Sequence, residues 1–175
     1  MNFIEYDFSD RQIQENARSL GLEDKSKRLQ ARKALEAAGK RAVLILIEAL
    51  KNGNHYARHE AAEALATIKQ PSSAGALVEA LEDEDHDVRW SAMKALIALD
   101  QDALEPLVSA LRDCFDSVYL REGAHHILNS LKKGSCLERQ HLEILKALEG
   151  ISPASTVPWA AQKAWDELYG PKAKK

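Results

Sequence analysis

No apolar run in this chain is long enough to cross a bilayer. The longest, Ala42 to Ile47, falls far short of the roughly 20 residues that a spanning helix needs, so no membrane partner is expected. Cysteine is nearly missing: Cys114 and Cys136 are the only two, and they sit near the two ends of one predicted helix, too far apart to be bridged comfortably. Both read as small packed thiols, which excludes a disulfide scaffold. Eight glycines and five prolines leave little for loops, and no glycine-rich stretch could cradle a phosphate. Positive charge is not in excess either. A net charge of −3 argues against a nucleic-acid partner, whose binding would rest on neutralising phosphates. The opening residues Met1 to Asp7 lack the basic-then-apolar order of a secretory signal, and the expected location is the cytoplasm.

Alanine, leucine, glutamate and lysine dominate instead, which favours helix almost throughout. They are arranged in a repeat. Ala57-Arg58-x-x-Ala61-x-x-Ala64-Leu65 returns as Val88-Arg89-x-x-Ala92-x-x-Ala95-Leu96 and as Leu120-Arg121-x-x-Ala124-x-x-Ile127-Leu128. An upstream copy runs through Arg28, Ala31, Ala34 and Leu35, and a degenerate one through Pro158, Ala161, Ala164 and Trp165. The arginines recur at intervals of 30, 31 and 32 residues, and Pro158 follows 37 residues after Arg121.

A second pattern alternates with the first: Leu46-Ile47-x-Ala49-Leu50, Leu77-Val78-x-Ala80-Leu81, Leu107-Val108-x-Ala110-Leu111 and Ile144-Leu145-x-Ala147-Leu148. Two helix types sharing one period predict about ten helices in five antiparallel pairs, spanning 9–39, 40–70, 71–100, 101–133 and 134–169. Residues 1–175 then form a single repeat domain, a monomer by default. Residues 1–8, with Phe3, Ile4, Tyr6 and Phe8, are expected to cover the outer face of the first pair or to dock on another molecule. The basic tail, 170–175, is expected to fray.

Local signals set the helix ends. Ser9 with Gln12 and Ser135 with Glu138 read as capping boxes, and Asp24 as a cap. Gly21 and Gly39 read as stops. Pro153 and Pro158 are expected to frame the last pair's internal turn, with Pro158 in a first helical turn. The acidic run Glu82 to Asp85, with Asp87, reads as a solvated turn in which Asp85 or Asp87 caps a helix, or as the partner of Arg89.

On a helical wheel the positions −1, +3, +6, +7 and +10 from each arginine share one face, and alanines within it let helices approach closely. One pair buries too little surface alone, so stacking must supply the core. The pattern resembles HEAT repeats, in particular the short HEAT-like repeats named after phycobilisome lyases, over roughly residues 25 to 168. The resemblance implies an all-α, right-handed α-solenoid whose second helices line a concave face. It also implies that Arg28, Arg58, Arg89 and Arg121 form a polar ladder between repeats, ending where Pro158 replaces the arginine.

Positions +1, +2, +5 and +8 point away from the core stripe on the wheel and so report what that face presents. The candidate partner-binding residues are His59, Glu60, Glu63, Trp90, Met93, Lys94, Glu122, His126 and Asn129. Trp90, beside Met93 and between His59 and His126, has the composition of a contact hot spot; the competing reading is packing over neighbouring alanines. The fifth copy would add Trp159, Ala160, Lys163 and Asp166.

Catalysis finds no constellation. The setting of His59-Glu60 is similar to the iron-binding repeats of deoxyhypusine hydroxylase, but the equivalent positions on the adjacent copies are Leu29-Gln30 and Trp90-Ser91, so no metal and no cofactor are expected. His125 and His126 diverge by about 100° on a helix. HEAT-like DNA glycosylases use a basic groove, whereas Glu60, Glu63 and Glu122 surround Trp90. The expectation is a non-enzymatic scaffold that binds a protein or peptide partner along the concave face. The alternative, on family resemblance alone, is an accessory subunit or chaperone of the bilin lyase type.

Overall fold

A computed structural model describes residues 10–114, 116–134 and 136–171. The proposed cover at 1–8, Ser9 and Ser135 of the two capping boxes, and the tail from 172 lie outside the described residues. Among those described there are ten α-helices and no strand. They are α1 (Asp10–Ser19), α2 (Lys25–Ala38), α3 (Val43–Asn52), α4 (His55–Ile68), α5 (Ala74–Glu79), α6 (His86–Leu99), α7 (Leu104–Asp113), α8 (Val118–Leu131), α9 (Arg139–Leu148) and α10 (Pro153–Leu168).

The helix starts follow one rule. Asp24, Asn54, Asp85 and Ser117 each accept hydrogen bonds from backbone N–H groups of the first turns of α2, α4, α6 and α8, a contribution of about 1 kcal/mol per cap. Each cap stands four residues before a repeat arginine, so the arginine occupies the same station in every second helix. At the other end of α2, Gly39 takes φ 60°, a backbone angle that glycine adopts without steric cost.

The wheel stripe is the core. Ala57, Ala61, Ala64 and Leu65 of α4, and Val88, Ala92, Ala95 and Leu96 of α6, are all buried, as are Leu120, Ala124, Ile127 and Leu128 of α8. The opposing stripe comes from Leu46, Leu50, Leu77, Leu81, Leu107 and Leu111 of the other helix type. Each buried leucine is worth about 1.5–3 kcal/mol, and the alanines keep the helices close enough for those leucines to interlock.

The helices α1, α3, α5 and α7 contact one another in succession, and so do α2, α4, α6 and α8. These two layers make an α-solenoid of four pairs. The fifth pair departs from the expected continuation: α9 packs on α8, and α10 packs on α7. The second helix of the last pair therefore joins the layer of first helices. Arg112 of α7 lies 4.5 Å from the Trp165 ring, whereas the pair itself is antiparallel, through Gln140–Glu167 at 2.5 Å and Glu143–Lys163 at 2.8 Å. Helix α9 thus stays beside α8, and the crossing to the layer of α7 falls between α9 and α10.

Pro158 also differs from the expectation. α10 begins at Pro153, so Pro158 stands inside the helix rather than in its first turn. α9 is capped by Glu138, whose side chain and that of His141 form a reciprocal capping box.

Candidate functional site

The arginines close the turns they follow. One nitrogen of Arg28 donates to the carbonyls of Leu22 and Glu23 at 2.7 and 2.8 Å. Arg58 reaches the Gly53 carbonyl at 3.1 Å, and Arg89 those of Asp83 and Glu84 at 2.7 and 3.1 Å. Each guanidinium then reaches forward to the next repeat. Arg28 stacks on Tyr56 and Arg89 on Tyr119, both at 4.1 Å. Both tyrosines stand two residues before the following repeat arginine. In α6 that station is Asp87, and Arg58 instead grips the Asp83 carboxylate through two bonds of 2.7 and 2.9 Å. Asp83 thus serves Arg58 with its side chain and Arg89 with its carbonyl. Arg121 holds the same station in α8 and is half-buried.

Position +2 does not face outward, which corrects the placement of Glu60. Its carboxylate is 6% exposed and lies between Arg28 at 3.4 Å and Arg32 at 2.9 Å. The equivalent residues Ser91 and Gly123 are buried as well. The reason is lateral packing: +2 points at the preceding second helix, from α4 to α2 and from α6 to α4, and in α8 it points at Leu81, in the turn that follows α5. Gln30 is exposed because α2 has no such neighbour.

That packing assembles His59, Ser91, Glu63 and Lys94 into one network. Ser91 Oγ is 2.7 Å from Glu63 Oε1 and 3.0 Å from His59 Nδ1, and Lys94 Nζ also donates to Glu63. Although serine, histidine and a carboxylate meet here, the polarity is wrong for a nucleophile. The single hydroxyl proton goes to the carboxylate, which can only accept, so His59 Nδ1 donates to Ser91 rather than drawing a proton from it. Ser91 is also fully buried. Burial pushes Glu63 upward, but the hydrogen bonds from Lys94 and Ser91, with the charges of Lys94 and His59, hold it below the ordinary glutamate value.

Trp90 stays at the surface, 46% exposed, with the His126 ring of α8 5.7 Å away and tilted by 53°. Met93 is half-buried against the core, and Lys94, Glu122, His126 and Asn129 are exposed. The fifth copy does not extend this face. Because α10 lies in the other layer, Trp159, Lys163 and Asp166 are carried away from Trp90, and Ala160 is 7% exposed. Wheel arithmetic alone could not reveal this, since it assigns equivalent stations without fixing the layer.

Among the described residues no three of His, Cys, Asp or Glu converge as metal ligands would. Glu60 is turned to Arg28 and Arg32, and His59 to Ser91, so the dipeptide presents no joint site. No described helix is long and apolar enough to cross a membrane. A search of curated proteins returned no match. A family model described as HEAT repeats matches residues 17–96 and 43–127, which together take in the second helices α2, α4 and α6 and most of α8. The chain belongs to the HEAT-repeat family.

Proposed function

We propose that this protein is a non-enzymatic scaffold that binds a protein partner across its layer of second helices, centred on Trp90. The observation that carries the reading is an indole left 46% exposed on the seam between α6 and α8, flanked by His126 and Met93 rather than covered by them. Tryptophan is enriched among residues that dominate binding energy, and a half-buried one can offer area with little ordering cost. HEAT repeats commonly serve as interaction scaffolds, which fits such a surface. The polar groups nearby are mutually satisfied in an arrangement that orders α4 against α6, which supports a structural role for them.

The test is binary binding between the purified chain and partners identified by mass spectrometry after capture. Trp90→Ala should weaken binding at least about tenfold, in the range of an interface hot spot. Trp159→Ala, on the other layer and 70% exposed, should leave it unchanged. Retention by Trp90→Ala together with loss in Trp159→Ala would place the docking surface elsewhere.

A further inference from the structure

We propose that the partner inserts a cationic side chain, lysine or arginine, into the cleft between α6 and α8, with Glu122 as its counter-charge; the proposal rests on the docking face described above. The cleft holds about 90 Å³ and is lined by Leu81, Trp90, Met93, Tyr119, Glu122 and Gly123 among others. That volume suits one side chain, far below the 300–1,000 Å³ or so of a small-molecule site. Glycine at 123 is part of its construction, since a Cβ there would come within 3.1 Å of Leu81. The second helices α4 and α6 carry Glu60 and Ser91 at that station, and both are spent on links between helices.

Charge selects the occupant. Trp90 and Tyr119 present exposed aromatic surface, 46% and 49%, and the faces of such rings attract cations. Arg89 already uses one such face, its guanidinium 4.1 Å from the Tyr119 centroid, and one of its nitrogens is turned to the Asp83 and Glu84 backbone carbonyls. His86, the other basic group of the lining, sits 3.5 Å from Asp87. Glu122 is different. Asp83 is held by Arg58, and Glu63 by Lys94. Glu122 is exposed on the rim and makes no hydrogen bond or ion pair among the described residues. Glu82, in the turn before α6, is exposed and equally unpaired among them. An apolar side chain would leave that carboxylate unanswered, and an acidic one would be repelled by it.

The experiment follows the Trp90 indole N–H signal of the ¹⁵N-labelled full chain by NMR, assigned with Trp90→Phe, at pH 8 and low salt. The probe is the blocked peptide acetyl-Gly-Lys-Gly-Lys-Gly-amide, compared with the same peptide bearing acetylated lysines. The lysine peptide should shift Trp90 with a Kd on the order of 1 mM, the acetylated one should not, and Glu122→Gln should weaken binding by about two- to fivefold, the scale of an exposed ion pair. Equal shifts with both peptides, no shift at Trp90, or unchanged affinity in Glu122→Gln would each overturn the proposal. If a captured partner depends on Trp90 but tolerates Glu122→Gln, the docking face stands and the cation inference falls. If no partner depends on Trp90, the face itself falls.

Discussion

Glu60 of α4 and Arg32 of α2 meet at 2.9 Å with the carboxylate almost completely buried. Arg28 approaches the other oxygen at 3.4 Å, so one carboxylate ties two cations across the first seam of the solenoid. Removing it takes away the charge that joins α4 to α2, although Arg28 keeps its bonds to the Leu22 and Glu23 carbonyls and Arg32 its pair with Glu36 at 3.4 Å. Breaking a buried pair from one side costs about 3–5 kcal/mol, and those remaining partners put this case at the lower end. Glu60→Ala should therefore lower unfolding stability by about 3 kcal/mol in urea titrations, with Glu60→Gln retaining part of the loss. A change under about 0.5 kcal/mol, the scale of a surface pair, would show that Glu60 is solvated.

Much of this architecture can be read from the sequence, and the limits of that reading are physical. The interval between Arg28, Arg58, Arg89 and Arg121 and the buried stripe both follow from 3.6-residue periodicity, which is a property of single helices. Position +2 faces a neighbouring helix, and a wheel contains no neighbours, so Glu60 and Ser91 are misplaced by it while Trp90 is not. The layer change of α10 is a tertiary choice. Pro158 at the arginine station and the lengthened interval mark where regularity ends, but nothing local says that Trp165 will meet Arg112. The caps Asn54 and Ser117 could have been found from the constant four-residue offset to each arginine.

Arg58 and Asp83 join α4 to the turn before α6 through two parallel bonds, with side-chain exposures of 14% and 10%. The fork geometry is specific to arginine, and lysine cannot reproduce it. A double-mutant cycle with Arg58→Lys and Asp83→Asn should give a coupling of about 1–3 kcal/mol. Arg58→Lys alone should be measurably destabilising despite the retained charge. If the two single losses simply add, the link is incidental to stability.

The Glu63 network predicts a pH dependence of definite sign. Burial raises the carboxyl's pKa, but hydrogen bonds from Lys94 and Ser91 and the charges of Lys94 and His59 outweigh it, and the net position lies below the ordinary 4.5. A folded-state value lower than the unfolded one stabilises the protein at pH values above the unfolded value, and that contribution disappears as pH falls through the folded value. The stability difference between the wild type and Glu63→Gln should be constant near neutrality and shrink below pH 4.5. Lys94→Ala should make that difference smaller and bring its disappearance to completion at a higher pH. Parallel stability curves for wild type and Glu63→Gln across the acid range would contradict the assignment.

The two thiols should react at different rates for reasons set by their surroundings. Cys114 is exposed, whereas Cys136 is half-buried and pushed up to about 11 by burial first and then by the nearby carboxylate of Asp100. Only the thiolate attacks an alkylating agent. At pH 8 a thiol with that value is ionised to about one part in a thousand, so Cys136 should be alkylated at least about tenfold more slowly than Cys114, read by peptide mass spectrometry over time. Asp100→Asn removes the nearby negative charge, and asparagine is among the residues most tolerant of the positive φ of 57° found there. The variant should speed labelling of Cys136 and leave Cys114 unchanged. Equal rates for the two thiols in the wild type would mean that the turn between α8 and α9 does not shield Cys136, and that the carboxylate of Asp100 does not act on it.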